Sequence, residues 1–303
     1  MQTIIQTRLH QAWKLVKGAL AAWVEDFAPS MGAALAYYTI FSLAPMLVIV
    51  IAVAGLFFGQ EAAQGEIVAQ LQGMVGATAA SAVEALLKSA SKPGQGIVAA
   101  ALGIFTLMLG ATAVFGELQS ALDRIWKIPS SKKGGIRDLV LKRLLSFGMV
   151  LGLGFMLLVS LVLSAALAAF GKWWGDMLGG WGIVLELLNF AVSFGVITGL
   201  FAMIYKFMPS AQIPWRDVWV GAIVTAVLFT VGKSAIGIYL GTTNMASGFG
   251  AAGSLVVLLA WIYYSAQIFL LGAEFTWVFA QQHGSQAPAH DKVTDSSQAQ
   301  SPP

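Results

Sequence analysis

Lys233 stands alone in an apolar setting, with no other charge between Val218 and Gly232 or between Ser234 and Ala273. An ammonium so placed is costly in lipid and must find a counter-charge, water or the interior of a helix bundle. Glu186 is the acidic residue within helical reach of it. One reading is a charged pair lining a cavity that meets a polar or anionic headgroup. The other is a structural ion pair, or a lysine that snorkels to the interface. Glu186 opens a polar stripe with Asn189 and Ser193 at i+3 and i+7; Thr230, Lys233 and Ser234 form a second, and Tyr264, Gln267 and Glu274 a third. Three stripes on neighbouring helices imply a shared, partly wet seam, or interhelical hydrogen bonds alone. Tyr38 and Ser42, just ahead of Pro45, add a polar break at the seam's inner mouth. Glu117 and Glu274 fall near span ends, where Arg124, Arg143 or Arg216 would pair with them.

Catalytic chemistry finds little support in the residue types. Cysteine is absent, which removes thiolate metal sites and thiol nucleophiles. His10, His283 and His290 lie in the terminal segments, and the acidic residues are scattered rather than grouped as a two-metal centre requires. No glycine loop cradles a phosphate, and no nucleophile stands beside a base. No enzyme activity, cofactor or metal is expected. The basic loop 122–143 is what a cytoplasmic membrane loop carries in any case, so no nucleic-acid partner is inferred from it.

The elements that hold these residues are membrane spans. Charged residues are 10% of the chain against about 25% in soluble domains, too few for a wettable surface. Uncharged runs cover 27–60, 93–116, 144–171, 187–205, 218–232 and 234–273. About 20 apolar helical residues cross a bilayer. The pattern predicts an all-α membrane protein with six transmembrane helices, at about 31–58, 96–120, 144–170, 183–206, 218–240 and 251–279. Residues 1–30 are expected as a cytoplasmic amphipathic helix lying in the interface, since Ile5, Leu9, Trp13, Val16, Leu20, Trp23 and Phe27 recur at steps of three or four and Arg8, Lys14 and Lys17 fall mostly opposite. Residues 31–280 form the transmembrane domain, with two short helices expected within 60–95, breaking at Gly76 and Ala77. Residues 281–303, rich in Ser, Gln, Ala and Pro, are expected to be a disordered cytoplasmic tail. Gly195-x-x-x-Gly199 and Gly237-x-x-x-Gly241 are candidate close-packing motifs.

Basic residues set the orientation. Arg8, Lys14, Lys17, seven residues of the 122–143 loop, Lys206, Arg216 and Lys292 share one side, and only Lys88, Lys92 and Lys172 occupy the other. Both termini are therefore expected in the cytoplasm. Tryptophans agree: Trp173, Trp174 and Trp181 mark the outer interface and Trp126, Trp215, Trp219 and Trp277 the inner one.

Five stretches in order, Ala34–Pro45, Glu117–Trp126, Tyr205–Pro209 followed by Trp215, Gly248–Gly253 and Trp261–Glu274, resemble the YihY/BrkB family of bacterial inner-membrane proteins, over roughly residues 15–280. The chain departs from the family pattern at Asp123, where Asn is frequent, and at Phe249, where Tyr is frequent. The resemblance implies six spans in the inner (cytoplasmic) membrane with both termini inside. Members were once labelled a tRNA-processing ribonuclease, which the residue inventory above opposes. The resemblance implies transport or export of a lipid-like or other amphiphilic compound, with membrane lipids as partners; homo-oligomerisation is left open. The alternative is a membrane scaffold or envelope-assembly factor without transport activity.

Overall fold

A long uncharged apolar run satisfies its amides away from water by forming helix. The computed structural model describes residues 2–75, 77–90, 113–129, 182–242 and 252–286, and every regular element among them is helical. In chain order these are α1 (Gln2–Glu25), α2 (Ala28–Phe58), α3 (Gln60–Val75), α4 (Ala77–Ala90), α5 (113–125), α6 (Gly182–Phe207), α7 (Trp215–Thr242) and α8 (Gly253–Gln282). Leu187–Phe207, Trp215–Tyr239 and Gly253–Gln282 are each long and apolar enough to cross a membrane. They coincide with the expected fourth, fifth and sixth spans. The expected first span falls within α2, which continues as helix through Pro45. The span at 144–170, and that at 96–120 up to residue 112, lie outside the described residues.

The boundaries follow from local chemistry. Phe27 takes the left-handed conformation (φ 58°, ψ 38°) and breaks α1 from α2, and Pro29 in the first turn of α2 occupies a place where a missing amide hydrogen is harmless. Gly59, at φ 84°, ends α2 and its N–H donates to the Gly55 carbonyl at 3.0 Å. The chain then turns straight into α3, and α4 follows across residue 76, so the two short helices stand where the sequence puts them.

Central to the packing is α8, which meets α1, α2, α4 and α7. At one end, Met31 and Leu35 of α2, Leu122, Ile125 and Trp126 of α5, Tyr205 of α6 and Leu270 and Ala273 of α8 form one core. At the other, Leu47 and Ile51 of α2, Val83 and Leu87 of α4, and Val257 and Leu258 of α8 form a second. Thus α4 caps the bundle with its apolar face.

Small residues bring α7 and α8 together. A Cβ on Gly221 would overlap Thr276 Oγ1, and a Cβ on Gly272 would overlap Thr225 Oγ1. Each threonine donates to the carbonyl four residues back on its own helix, Thr225 to Gly221 and Thr276 to Gly272, both at 2.7 Å. Each helix therefore presents a Gly-x-x-x-Thr pair, and the two interlock reciprocally in antiparallel register. Tyr205 closes the lock from α6, with its hydroxyl 3.0 Å from Thr225 Oγ1 and donating to the Phe269 carbonyl at 2.8 Å. Among the described residues a Cβ on Gly195 or Gly237, the first glycine of each motif singled out by sequence, meets nothing within 4 Å. Gly272→Val should lower stability by about 1–3 kcal/mol through overpacking. Gly237→Ala should leave it level or slightly raised; thermal unfolding of the detergent-purified variants reads both.

Candidate functional site

Helical spacing puts Gln267 and Glu274, seven residues apart, on one face of α8. That face looks at the start of α2. A Cβ on Gly32 would overlap the Gln267 amide, so the glutamine side chain fills the notch that glycine leaves. Among the described residues no side chain or backbone group bonds either polar atom of that amide, and neither oxygen of Glu274 receives a donor, its neighbour being the Asp26 carboxyl. Glu274 is fully buried, and the charged groups around it are Asp26, Lys127 and Glu25. Of the expected arginine partners, the two that are described stand apart from it. Arg124 lies over the Phe27 ring at 5.6 Å, Arg216 is exposed, and Arg143 lies outside the described residues.

The Asp26 carboxylate binds the Lys127 ammonium through both oxygens, at 2.5 and 2.7 Å. Asp26 is buried, just ahead of the first turn of α2, where a negative charge is favoured by the helix dipole. Lys127 follows the end of α5, and its ammonium also sits 5.5 Å from the Trp277 ring centre. Phe27 and Lys127 are the positive-φ non-glycine residues of the described chain, so both backbone departures fall at this ion pair. Sequence reasoning missed Asp26 and Lys127. The available signal for Asp26 was its position, a charge at the edge of the uncharged run 27–60.

The remaining predicted residues are placed as follows. Lys233 is half-buried on α7 and, among the described residues, has no hydrogen bond or ion pair; the side chain of Glu186 lies outside the described residues. Asn189 is exposed on α6 and Ser193 half-buried one turn on. Thr230 donates to its own helix at the Ala226 carbonyl, 2.7 Å. On α2, Ser42 is buried and donates to the Thr39 carbonyl at 3.1 Å, whereas Tyr38 is exposed and meets the Tyr37 ring edge-on. The structure thus joins Gln267 and Glu274 to α2 and leaves Thr230 and Ser42 bonded within their own helices.

Two further aspartates tie the loops at this end. Asp123 accepts from Ser210 N–H at 2.6 Å and from its hydroxyl at 2.8 Å, binding α5 to the α6–α7 turn. The acidic departure from the family pattern therefore has a partner that supplies two donors. Asp217, fully buried in the first turn of α7, accepts from Ser285 N–H and Oγ, at 3.1 and 2.6 Å, and clasps the turn after α8. Residues 287–303 of the expected tail lie outside the described residues. Lys127→Met and Asp26→Asn combined in a double-mutant cycle should give a coupling energy of about 1–2 kcal/mol in thermal or chemical unfolding, since the lysine is half-exposed and the aspartate is not.

The chain is similar to curated bacterial proteins. A UPF0761 membrane protein of Pseudomonas aeruginosa is 28% identical over 83% of this chain and 59% of its own length. One of Ralstonia nicotianae is 28% identical over 88% and 60%, and one of Tolumonas auensis 31% over 58% and 56%. The chain spans about three-fifths of the length of these relatives. No solved structure matches it. The family model described as virulence factor BrkB matches residues 19–296, and with the order of helices above this settles the membership: the chain belongs to the BrkB family of membrane proteins.

Proposed function

We propose that this chain is a six-span protein of the bacterial inner membrane, with both termini cytoplasmic, that moves an amphiphilic, lipid-like compound along the seam between α2 and α8. The observation that supports this reading is the unpartnered polar face of α8. All polar side-chain atoms of Gln267 and Glu274 are away from water and, among the described residues, without a hydrogen-bond donor or acceptor to match them. A buried amide left so costs about 1–3 kcal/mol, and a charged group more. A bundle built only for packing gains nothing by keeping both on one face. The polar head of a passing amphiphile, with its water, supplies the missing partners, while its chains stay among apolar side chains such as Tyr37 and Phe41, which α2 exposes.

Two features support the placement in the membrane. On α1, Trp13, Val16, Leu20 and Val24 form an exposed apolar stripe, whereas Ala19 and Ala22 bury against the bundle and Gly18 meets Val278 of α8. Lys14 and Lys17 stand beside the stripe, exposed, with the Lys17 ammonium 5.5 Å from the Trp13 ring. Such a helix suits an interface with anionic headgroups. The basic residues that favour a cytoplasmic side gather at this same end, among them Arg124, Lys127, Lys206 and Arg216. Half-buried Lys233, farther along α7, offers an anionic headgroup a counter-charge. The reading gives none of these side chains a catalytic role.

The test compares lipid extracts, by mass spectrometry, of cells lacking the gene and cells complemented with wild type, Gln267→Leu or Lys233→Ala. An amphiphile should accumulate in the deletion strain and be cleared by wild type. Gln267→Leu, present at wild-type abundance, should clear it roughly tenfold more slowly, the effect of about 1.4 kcal/mol in the passage step. Identical extracts from all strains would remove the transport reading.

A further inference from the structure

Among the described residues the α1–α2 junction buries more negative charge than positive. Asp26 is 6% exposed and Glu274 0%. Among the described residues Lys127 is the cation beside them, and its ammonium is committed to both oxygens of Asp26. Glu274 keeps two oxygens without partners. Other charges nearby do not change the balance. Glu25 of α1, exposed at the rim, and Asp217 of α7, buried with one oxygen held by Ser285 and the other without a partner, both stand on the negative side, while Arg124 of α5 stacks over Phe27. Two buried carboxylates against one ammonium form a costly arrangement in apolar surroundings, which a second positive charge relieves.

We propose that Asp26 and Glu274 form the seat of one exchangeable monovalent cation, a proton or a sodium ion, for which Lys127 is the built-in competitor. The site is asymmetric in a way that suits exchange. The Lys127 side chain is 44% exposed and that of Asp26 8%, so the ammonium can withdraw toward water while the carboxylates stay. The Trp277 ring, 5.5 Å from the ammonium, gives it a second resting place. Left-handed backbone at Phe27 and Lys127 fixes the points from which aspartate and lysine face each other. Entry of the cation beside Glu274 neutralises the excess carboxylate, and its departure restores the starting charge. Coupling of this exchange to passage along the seam rests on the transport reading; the seat itself does not.

Infrared difference spectroscopy of the full-length protein in lipid nanodiscs tests it with protons and sodium as the probes. In the proton arm, acidification should bring up the carbonyl stretch of a protonated carboxyl. In the sodium arm, replacing N-methylglucamine by sodium at constant pH should shift the carboxylate bands saturably. One arm should respond, the response should vanish in Glu274→Gln, and the exposed control Glu84→Gln should retain it. Lys127→Met should bind the cation roughly tenfold more tightly, because the competitor is gone. This variant decides the matter if Glu274→Gln does not fold. Absence of a response in both arms, or an affinity within twofold of wild type in Lys127→Met, overturns the proposal. Failure here leaves amphiphile clearance in cells untouched. Failure of clearance with an intact titration removes the coupling and keeps the seat.

Discussion

Inside an apolar bundle a polar side chain has no water to fall back on, and every such group on α8 must be answered by a neighbour or by something that arrives. The two sides of this helix meet the constraint in opposite ways. Toward α7, Thr276 bonds its own backbone, Gly272 admits Thr225, and Tyr205 adds a hydrogen bond from the third helix to the Phe269 carbonyl. Toward α2, Gln267 and Glu274 are left without partners. The first side is a rigid wall; the second is where the helix still has hydrogen bonds to make.

That division gives the bundle a mechanical logic. The α7–α8 lock holds backbone close to backbone, so movement there requires repacking a dense contact. Between α2 and α8 the contact at Gly32 is made by the flexible end of a glutamine, which can turn aside without disturbing either helix. The ends of the seam are held separately, by α4 at one core and by the Asp26–Lys127 pair at the other. A compound with a polar head and apolar body would find hydrogen-bonding groups on one wall and aromatic or aliphatic surface beyond it. This is the sense in which the proposed conveyance grows out of unequal polar satisfaction across one helix.

The helical character was legible because it rests on charge exclusion, which lipid enforces on every residue of a span. Helices α6, α7 and α8 and the short pair α3 and α4 stand where that exclusion and the glycine at 76 place them. Close packing was read less well. Glycines at Gly195 and Gly237 fit a familiar spacing yet have no close neighbour among the described residues, whereas the motif at work between α7 and α8 mixes glycine with threonine, Gly221 with Thr225 and Gly272 with Thr276. A search restricted to paired glycines misses it, although threonine lets backbones approach and supplies a hydroxyl bonded within its own turn. Of the stripe Tyr264, Gln267 and Glu274, the glutamine meets Gly32 of α2 and Glu274 lies near Asp26, whereas Tyr264 meets Gly232 of α7, because one-dimensional spacing cannot say which helix lies opposite. The partner of Glu274 was sought among arginines of its own membrane level. Among the described residues the charges beside it are instead the lysine after α5 and the aspartate before α2, paired with each other, in a fold that brings residues 26, 127 and 274 to one corner.

The most direct measurement is an experimental structure of the full-length protein in a lipid nanodisc, at a resolution that shows ordered water and lipid beside α8. The account predicts water or elongated lipid-like density within hydrogen-bonding distance of Gln267 and Glu274, between α8 and α2. A seam filled by protein side chains that satisfy both the amide and the carboxyl would contradict it.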